Sequence, residues 1–394
     1  MPDSILVSSA RTPIGKVSGS LSSLSATELG GLAIAAALDR AGIDPGEVDH
    51  VIMGHVLQAG AGQNPARQAA TRGGVPMDVP AFTVNGVCLS GIHALHLADQ
   101  MIRSGEADVV VAGGMESMSQ APYLLPGARA GWRLGDVTAM DSMIRDGLWC
   151  AFDDIHMGAG TDFYAQEAGI SRARQDELAA MSHERACIAT KEGRLDDEIV
   201  PVRVKVRKDE IVVKADEGIR ADSTADALAR LKPAFSPTGT ITAGNASQIS
   251  DGGAAVVIVS RAKAEELGLD TRAELVGFAI VAGPGPSLLT QPARAIRRAL
   301  DRTGRTVADV DLFEINEAFA AVSAASMADL DIGDEMVNVN GGAIALGHPI
   351  GMSGTRLVMT LVEQLRRDGG GLGAAALCGG GGQGEAALVK VTAR

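Results

Sequence analysis

The chain repeats itself, and the repetition limits its folds more than any other feature. Residues 37–49 read ALDRAGIDPGEVD and residues 299–311 read ALDRTGRTVADVD, a spacing of 262. Each reads as a helix end, a Gly stop and a short loop into an apolar strand, VIMGHV at 51–56 and LFEINEAF at 312–319. The echoes continue in the same order. VNG occurs at 84–86 and at 339–341, each followed by a Ser-Gly (Ser90-Gly91, Ser353-Gly354) that opens a helical pattern. DVVVAGG at 108–114 is answered by GAAALCGG at 373–380, and DGGAAVVIVS at 251–260 by QGEAALVKVT at 383–392. A β-rich unit with interspersed helices therefore occurs twice. Runs such as DVVVAGG and AAVVIV lack polar alternation, which predicts strands buried on both faces. Two such sheets are expected to pack into a layered α/β body.

The halves differ in one place. In the second, the glycines after the third strand run almost directly into the last strand; in the first, residues 119–248 intervene. That stretch holds both tryptophans (Trp132, Trp149), both tyrosines, the charged segment SRARQDELAAMSHERACIATKEGRL and the Pro-containing LKPAFSPTGTITAGNAS. It reads as an inserted loop domain, and insertions on a repeated scaffold usually carry recognition. The expected division is 1–118 with 249–270 as the first half, 119–248 as the insert, and 271–394 as the second half.

Composition narrows the partners. A net charge of −13 over 394 residues disfavours nonspecific binding to nucleic acid or an anionic membrane. An anionic substrate would need a local basic patch. No apolar run reaches the roughly 18–20 residues of a membrane span. The opening MPDSILVSSARTPIG lacks the basic-then-apolar pattern of a signal peptide, so a soluble, cytoplasmic protein is expected. The four cysteines (Cys88, Cys150, Cys187, Cys378) form no CxxC pair and show no zinc spacing. They are expected to be free thiols, and no metal site is expected.

Cys88 stands in VNGVCLSGIHAL, between a strand and a helix start. The positive end of the helix dipole there favours thiolate, the nucleophilic form. The VNG echo puts VNVNGGAIALGHPIGMSG at the pseudo-equivalent place, and that segment contains His348. If the halves pack about a pseudo-twofold axis, the two helix-entry turns meet near it, and His348 is positioned to be the base for Cys88. Cys378 ends a strand and enters CGGGGQGE, whose glycines leave backbone N–H groups open to an oxyanion. Gly379, Gly381 and Gly384 also match a GxGxxG dinucleotide pattern, but ALVKV follows and reads as strand, so no helix N-terminus awaits a pyrophosphate. No P-loop occurs. Asn316, in NEAF at a strand end, can donate to a developing oxyanion directly or through water.

Together these segments resemble the thiolase family over nearly the whole chain. The carriers are Cys88 in VNGVCLSG, GGMESMS at 113–119, AGNASQISDG at 243–252, NEAFAA at 316–321, NGGAIALGHPIGMSG at 340–354 and CGGGGQG at 378–384. The insert, with GDVTAMDSMIRDGLWCAF and then HMG at 156–158, is similar to the short-chain biosynthetic branch, the acetyl-CoA C-acetyltransferases. The resemblance implies a duplicated fold in α-β-α-β-α layers with an inserted loop domain. It implies that Cys88 carries the acyl group, His348 takes its proton, and Cys378 removes an α-proton from a second acetyl-CoA. Asn316 would hold a water that stabilises the enolate with His348, and the backbone N–H groups of Cys88 and Gly380 would form a second oxyanion hole. The reaction would be the reversible condensation of two acetyl-CoA to acetoacetyl-CoA and CoA. The alternative is a broader-chain 3-ketoacyl-CoA thiolase of fatty acid β-oxidation. The need for a second thiol argues against a decarboxylating condensing enzyme.

CoA contacts carry over to Leu148, His156, Met157, Arg220, Phe235, Ala243, Ser247, Ala318 and Phe319, with Arg220 for a phosphate and Ser247 for the pantetheine arm. No cofactor or metal is implied beyond the CoA thioester itself. A homo-oligomer is implied, a dimer or a tetramer, with LLPGARAGWRLGD as the candidate tetramerisation loop of a dimer of dimers. Four departures from the family pattern stand out: Gly86, Cys150, Met352 and AGTDFYA after HMG. Of these, Met352 and the AGTDFYA run bear on the acyl pocket.

Overall fold

The computed structural model describes residues 3–392. The ends of the two halves as read from sequence, residues 1–2 and 393–394, lie outside the described residues. The repeated apolar runs form the strands of one hydrogen-bonded path. The first half supplies β1 (Ser4–Arg11), β2 (His50–Gly54), β3 (Ala81–Val84), β4 (Val109–Ser117) and β5 (Ser250–Ser260). The second supplies β6 (Ala273–Ala282), β7 (Leu312–Ile315), β8 (Gly371–Gly379) and β9 (Gln383–Val391). The order is β3-β2-β4-β5-β1, then β6-β9-β8-β7. β2 runs parallel to β3 and β4, while β5 is antiparallel to β4 and β1. The second half repeats the pattern: β7 is parallel to β8, and β9 is antiparallel to β8 and β6. The halves join where β1 and β6 pair antiparallel at Ile5↔Glu274 and Leu6↔Ala273.

One repeat strand is nearly lost. The counterpart of β3 is a single bridge, Phe313↔Val337. Asn338 explains this. Its backbone is left-handed (φ 49), and its side chain replaces the ladder, accepting from Ile315 N and donating to Ile315 O, both at 2.8 Å.

The layers follow from which face each side chain takes. On β5, Ala254, Val256 and Ile258 face the central core while Ala255, Val257 and Val259 face outward under α1 (Ala26–Ala41) and α2 (Pro65–Arg72). Both faces need apolar residues, hence the unbroken run. On β8, Ala375 and Leu377 face the same central core, and Ala374 and Ala376 face the outer layer of α6 (Gln291–Arg302) and α7 (Ala320–Leu330). The central core is filled by α3 (Ser90–Ser104) and α8 (Ser353–Arg367). The result is the α-β-α-β-α stack.

The repeated Ser-Gly turns meet where α3 and α8 cross. A Cβ on Gly354 would lie 2.5 Å from Ile92 N, and one on Gly91 2.9 Å from Thr355 Oγ1. Only glycine permits that approach, so the two helix entries stand side by side. The strands between β4 and β5 form three two-stranded ladders of their own. The hairpin Val202–Val206 with Asp209–Val213 packs on Leu21 and Leu29, and buried Arg11 on β1 pairs with Glu198 (2.9 Å) and Asp216 (2.8 Å). Among the described residues, no helix is long and apolar enough to cross a membrane.

Candidate active site

Cys88 sits on the turn between β3 and α3. Asn85 Oδ1 accepts from Val87 N at 2.9 Å, and Ser90 Oγ accepts from Gly86 N at 3.0 Å and donates to Val87 O at 2.6 Å. These bonds hold Val87 at φ 56, a costly conformation for a β-branched residue. The turn thereby aims Cys88 at the second half. Its thiol meets its own backbone N–H and that of Gly380. Burial nevertheless pushes it up to about 12, with a smaller push from Glu116. Cys88 retains some exposure, which moderates the rise without reversing it. The expectation of a resting thiolate is thus corrected: loss of solvation outweighs the helix end and both N–H groups. Cys88 rests as a thiol and requires a base.

His348 is held by its backbone N, which donates to Gln248 O (3.1 Å) and Ser250 Oγ (3.2 Å). Its Nδ1 lies 2.6 Å from Ser353 Oγ, and that hydroxyl donates to Pro349 O at 3.0 Å. A hydroxyl has one proton, so Nδ1 must be the donor and Nε2 keeps the lone pair. Nε2 lies 3.3 Å from Asn316 Nδ2. Burial, then the charge of Arg356, lowers His348 to about 3, so the ring is neutral.

Asn316 follows β7, its N donating to Ala376 O on β8 at 3.0 Å. It is fully buried, and its Oδ1 has no protein partner among the described residues. A buried amide oxygen of this kind suits a water. The adjacent Glu317 is satisfied, accepting from Ser182 Oγ (2.6 Å), Ile344 N (3.0 Å) and Asn338 Nδ2 (3.1 Å). Cys378 lies near the end of β8, buried, its thiol held above the ordinary range by burial and by the neighbouring Cys88. The β8–β9 turn carries Gly380, where a Cβ would meet Val87 at 3.3 Å. Because β9 follows that turn as a strand, the glycines make no dinucleotide site. The structure therefore brings Cys88, Cys378 and Gly380 together across the two halves, and pairs His348 with Asn316.

The insert closes this cluster from both sides. Leu148 packs with Val87, Cys88 and Ile350, while Met157, Ala318 and Phe319 pack with Cys378. Ser247 N donates to Ala318 O at 3.0 Å, and His156 stacks on Phe235 at 4.8 Å while capping α4 (Met157–Glu167). Ala243 is exposed. Arg220 N donates to His183 Nδ1 at 3.1 Å, its Nε lies 3.4 Å from Ser223 Oγ, and no carboxylate among the described residues pairs with it. Met352 is wholly buried in the core between the sheets, so it bears on the acyl pocket only through packing.

The motif reading overlooked Glu116 as a tether. This fully buried carboxylate accepts from Val56 N (3.1 Å), Leu57 N (3.2 Å) and Gly351 N (3.0 Å), and His55 Nε2 lies 3.2 Å away. It ties the first half to the His348 loop. Its place inside GGMESMS was the available signal.

Comparison with known proteins agrees with this geometry. The sequence models of the thiolase N-terminal and C-terminal domains match residues 4–262 and 269–391. The chain is 55% identical over 391 residues to a Mycobacterium tuberculosis protein named probable acetyl-CoA acetyltransferase, covering 99% of this chain and 100% of that one. It is 50% identical over 388 residues to the acetyl-CoA acetyltransferase of Pseudomonas aeruginosa, covering 98% of each. The crystal structure of the Bacillus anthracis acetyl-CoA acetyltransferase superposes with a TM-score of 0.97 at 41% identity, over 99% of both chains. Fold, converged site and full-length similarity lead to one conclusion: the chain belongs to the thiolase family.

Proposed function

We propose that this protein is an acetyl-CoA C-acetyltransferase that condenses two acetyl-CoA to acetoacetyl-CoA and CoA, and runs the reverse thiolysis. The observation that carries the reading is two neighbouring thiols, Cys378 buried and Cys88 partly buried, with Cys88 facing two backbone N–H groups. One thiol carries the acyl group while the other moves a proton on carbon.

In the first step Cys88 Sγ attacks the thioester carbon as its proton passes to His348 Nε2. The N–H groups of Cys88 and Gly380 are placed for the oxyanion. The C–S bond to CoA breaks, the CoA sulfur takes the proton from His348, and acetyl-Cys88 remains. A ring held down to about 3 gives up that proton readily. In the second step Cys378 gives its thiol proton to the freed His348 Nε2 as its sulfur takes the α-proton of a second acetyl-CoA. Its raised basicity suits a carbon acid. The enolate oxygen faces His348 and a water on Asn316, whose free Oδ1 supports that role. The enolate carbon attacks acetyl-Cys88, its C–S bond breaks, and the Cys88 sulfur leaves with the proton held by His348, which restores both thiols and the neutral ring.

The 119–248 insert supplies CoA binding and oligomerisation in this reading. Leu148, His156, Met157, Phe235, Ala243, Ser247, Ala318 and Phe319 line the thioester arm. Arg220, free of carboxylates, meets a CoA phosphate. The exposed stretch around Trp132 and Leu134 (47% and 99% exposed) joins dimers into a tetramer. The chain works in the cytoplasm on soluble thioesters. Measuring kcat/KM for thiolysis across 3-oxoacyl-CoA lengths tests the substrate. The C4 substrate should lead. Equal or better use of longer chains would favour the β-oxidation reading.

A further inference from the structure

Outside the catalytic cluster, one group of polar side chains converges on a point. We propose that His93, His96 and Glu385 form a binding site for one divalent transition-metal ion of the zinc class, joining the nucleophile-bearing helix to the second half.

His93 and His96 are three apart on α3, so they share one face. Glu385 comes from β9 in the other half. The Nδ1 atoms of His93 and His96 lie 3.1 and 2.8 Å from the same oxygen, Glu385 Oε1. The three ligand atoms all lie within 4.8 Å of one another. Around a tetrahedral zinc with bonds of about 2.0–2.2 Å, ligand atoms stand roughly 3.3–3.5 Å apart. The two His–Glu385 distances open by a few tenths of an ångström to admit the ion, and the widest pair, within 4.8 Å, closes by up to about 1.5 Å through imidazole rotation.

Three further observations favour a metal over a simple hydrogen-bonded cluster. The Glu385 side chain is fully buried, yet both imidazoles crowd Oε1 while Oε2 has no partner among the described residues. A carboxylate binding through both oxygens resolves that imbalance. His96 is fixed, stacked on Phe278 at 4.8 Å and 5°, and its Nε2 lies 3.1 Å from the side-chain amide of Gln100. The facing atom is the Gln100 amide nitrogen; with Nδ1 on a metal, Nε2 carries the proton, and the amide turned over would present its oxygen as the outer partner of a metal-bound histidine. The His93 side chain is 32% exposed, which leaves an entry path and open coordination positions. Imidazole and carboxylate donors select zinc, cobalt or nickel over calcium or magnesium.

The site is next to the chemistry without being part of it. The His93 N–H donates to Leu89 O at 2.9 Å, one turn from Cys88. A bound ion would hold the nucleophile turn against β9, whose preceding turn carries Gly380.

The test uses untagged protein, stripped with EDTA, incubated with zinc chloride and desalted. Metal is counted by mass spectrometry, and melting is followed with and without zinc. One zinc per chain is expected, with a raised melting temperature. H93Q and E385Q should each weaken zinc at least tenfold, while a C88A/C378A double variant keeps it. H93Q changes a part-exposed residue and so keeps the test usable if E385Q folds poorly. No retained zinc, equal zinc in H93Q and wild type, or loss only in the double thiol variant would overturn the proposal.

Discussion

The hydroxyl of Ser353 is the most informative residue to remove. It is buried, lies 2.6 Å from His348 Nδ1 and donates to Pro349 O at 3.0 Å. Ser353→Ala leaves the Nδ1–H of a buried ring without an acceptor. An orphaned buried donor costs about 1–3 kcal/mol. The ring can escape that cost by moving its proton to Nε2, which removes the lone pair needed to take the Cys88 proton. At 1.36 kcal/mol per factor of ten, the reactive form falls by roughly 5- to 150-fold. The assay is the single-turnover rate of CoA release on mixing enzyme with acetyl-CoA, with thiolysis kcat and KM alongside. The rate of acylation and kcat should fall within that range while KM for CoA stays within twofold. An unchanged acylation rate, or a loss confined to KM, would refute the tautomer argument.

Other consequences follow from the same contacts. Cys378→Ala should still release one CoA per chain from acetyl-CoA but make no acetoacetyl-CoA; retained condensation would remove its role as carbon base. Because Cys88 rises to about 12, its thiolate fraction grows about tenfold per pH unit below that value. Alkylation of Cys88 by iodoacetamide should therefore climb from pH 7 to 10 without levelling near 8.5, and an early plateau would contradict the burial argument. His348, held down to about 3, stays neutral through pH 5–7, so the acylation rate should show no inflection near 6.5 from its titration. Asn338→Ala strips Ile315 N and O of their partner, and should lower unfolding free energy by about 2–4 kcal/mol in urea titration; a change under 0.5 kcal/mol would show that the missing strand is not replaced by this side chain.

Parts of this protein are written in short motifs, and others depend on distant neighbours. The Ser-Gly repeats at 90–91 and 353–354 were legible because both must be small where α3 and α8 cross. The continuous apolar runs were legible because β4, β5, β8 and β9 have cores on both faces. The β1–β6 junction was not, since SILVSSAR and AELVGFAI share only their apolar character. The dwindled partner of β3 hid behind the VNG echo, because only the Asn338 side-chain geometry shows what replaced it. Of the site residues read from their motifs, Cys88, Cys378 and Gly380 meet and His348 meets Asn316, but the state of Cys88 was misjudged. A helix end is local and visible in sequence, whereas the burial that outweighs it, and the Glu116 charge that adds to it, come from distant parts of the chain. The His93–His96 pair went unnoticed for the same reason: its third member, Glu385, lies 289 residues beyond His96.

The central claim is that Cys88 alone carries the acetyl group. Peptide mass spectrometry of acid-quenched enzyme after brief exposure to acetyl-CoA tests it most directly. The expected result is one acetyl group on the Cys88 peptide, absent in Cys88→Ala and still present in Cys378→Ala. An acetyl group on Cys378 instead, or none on a folded protein that still turns over, would contradict the account.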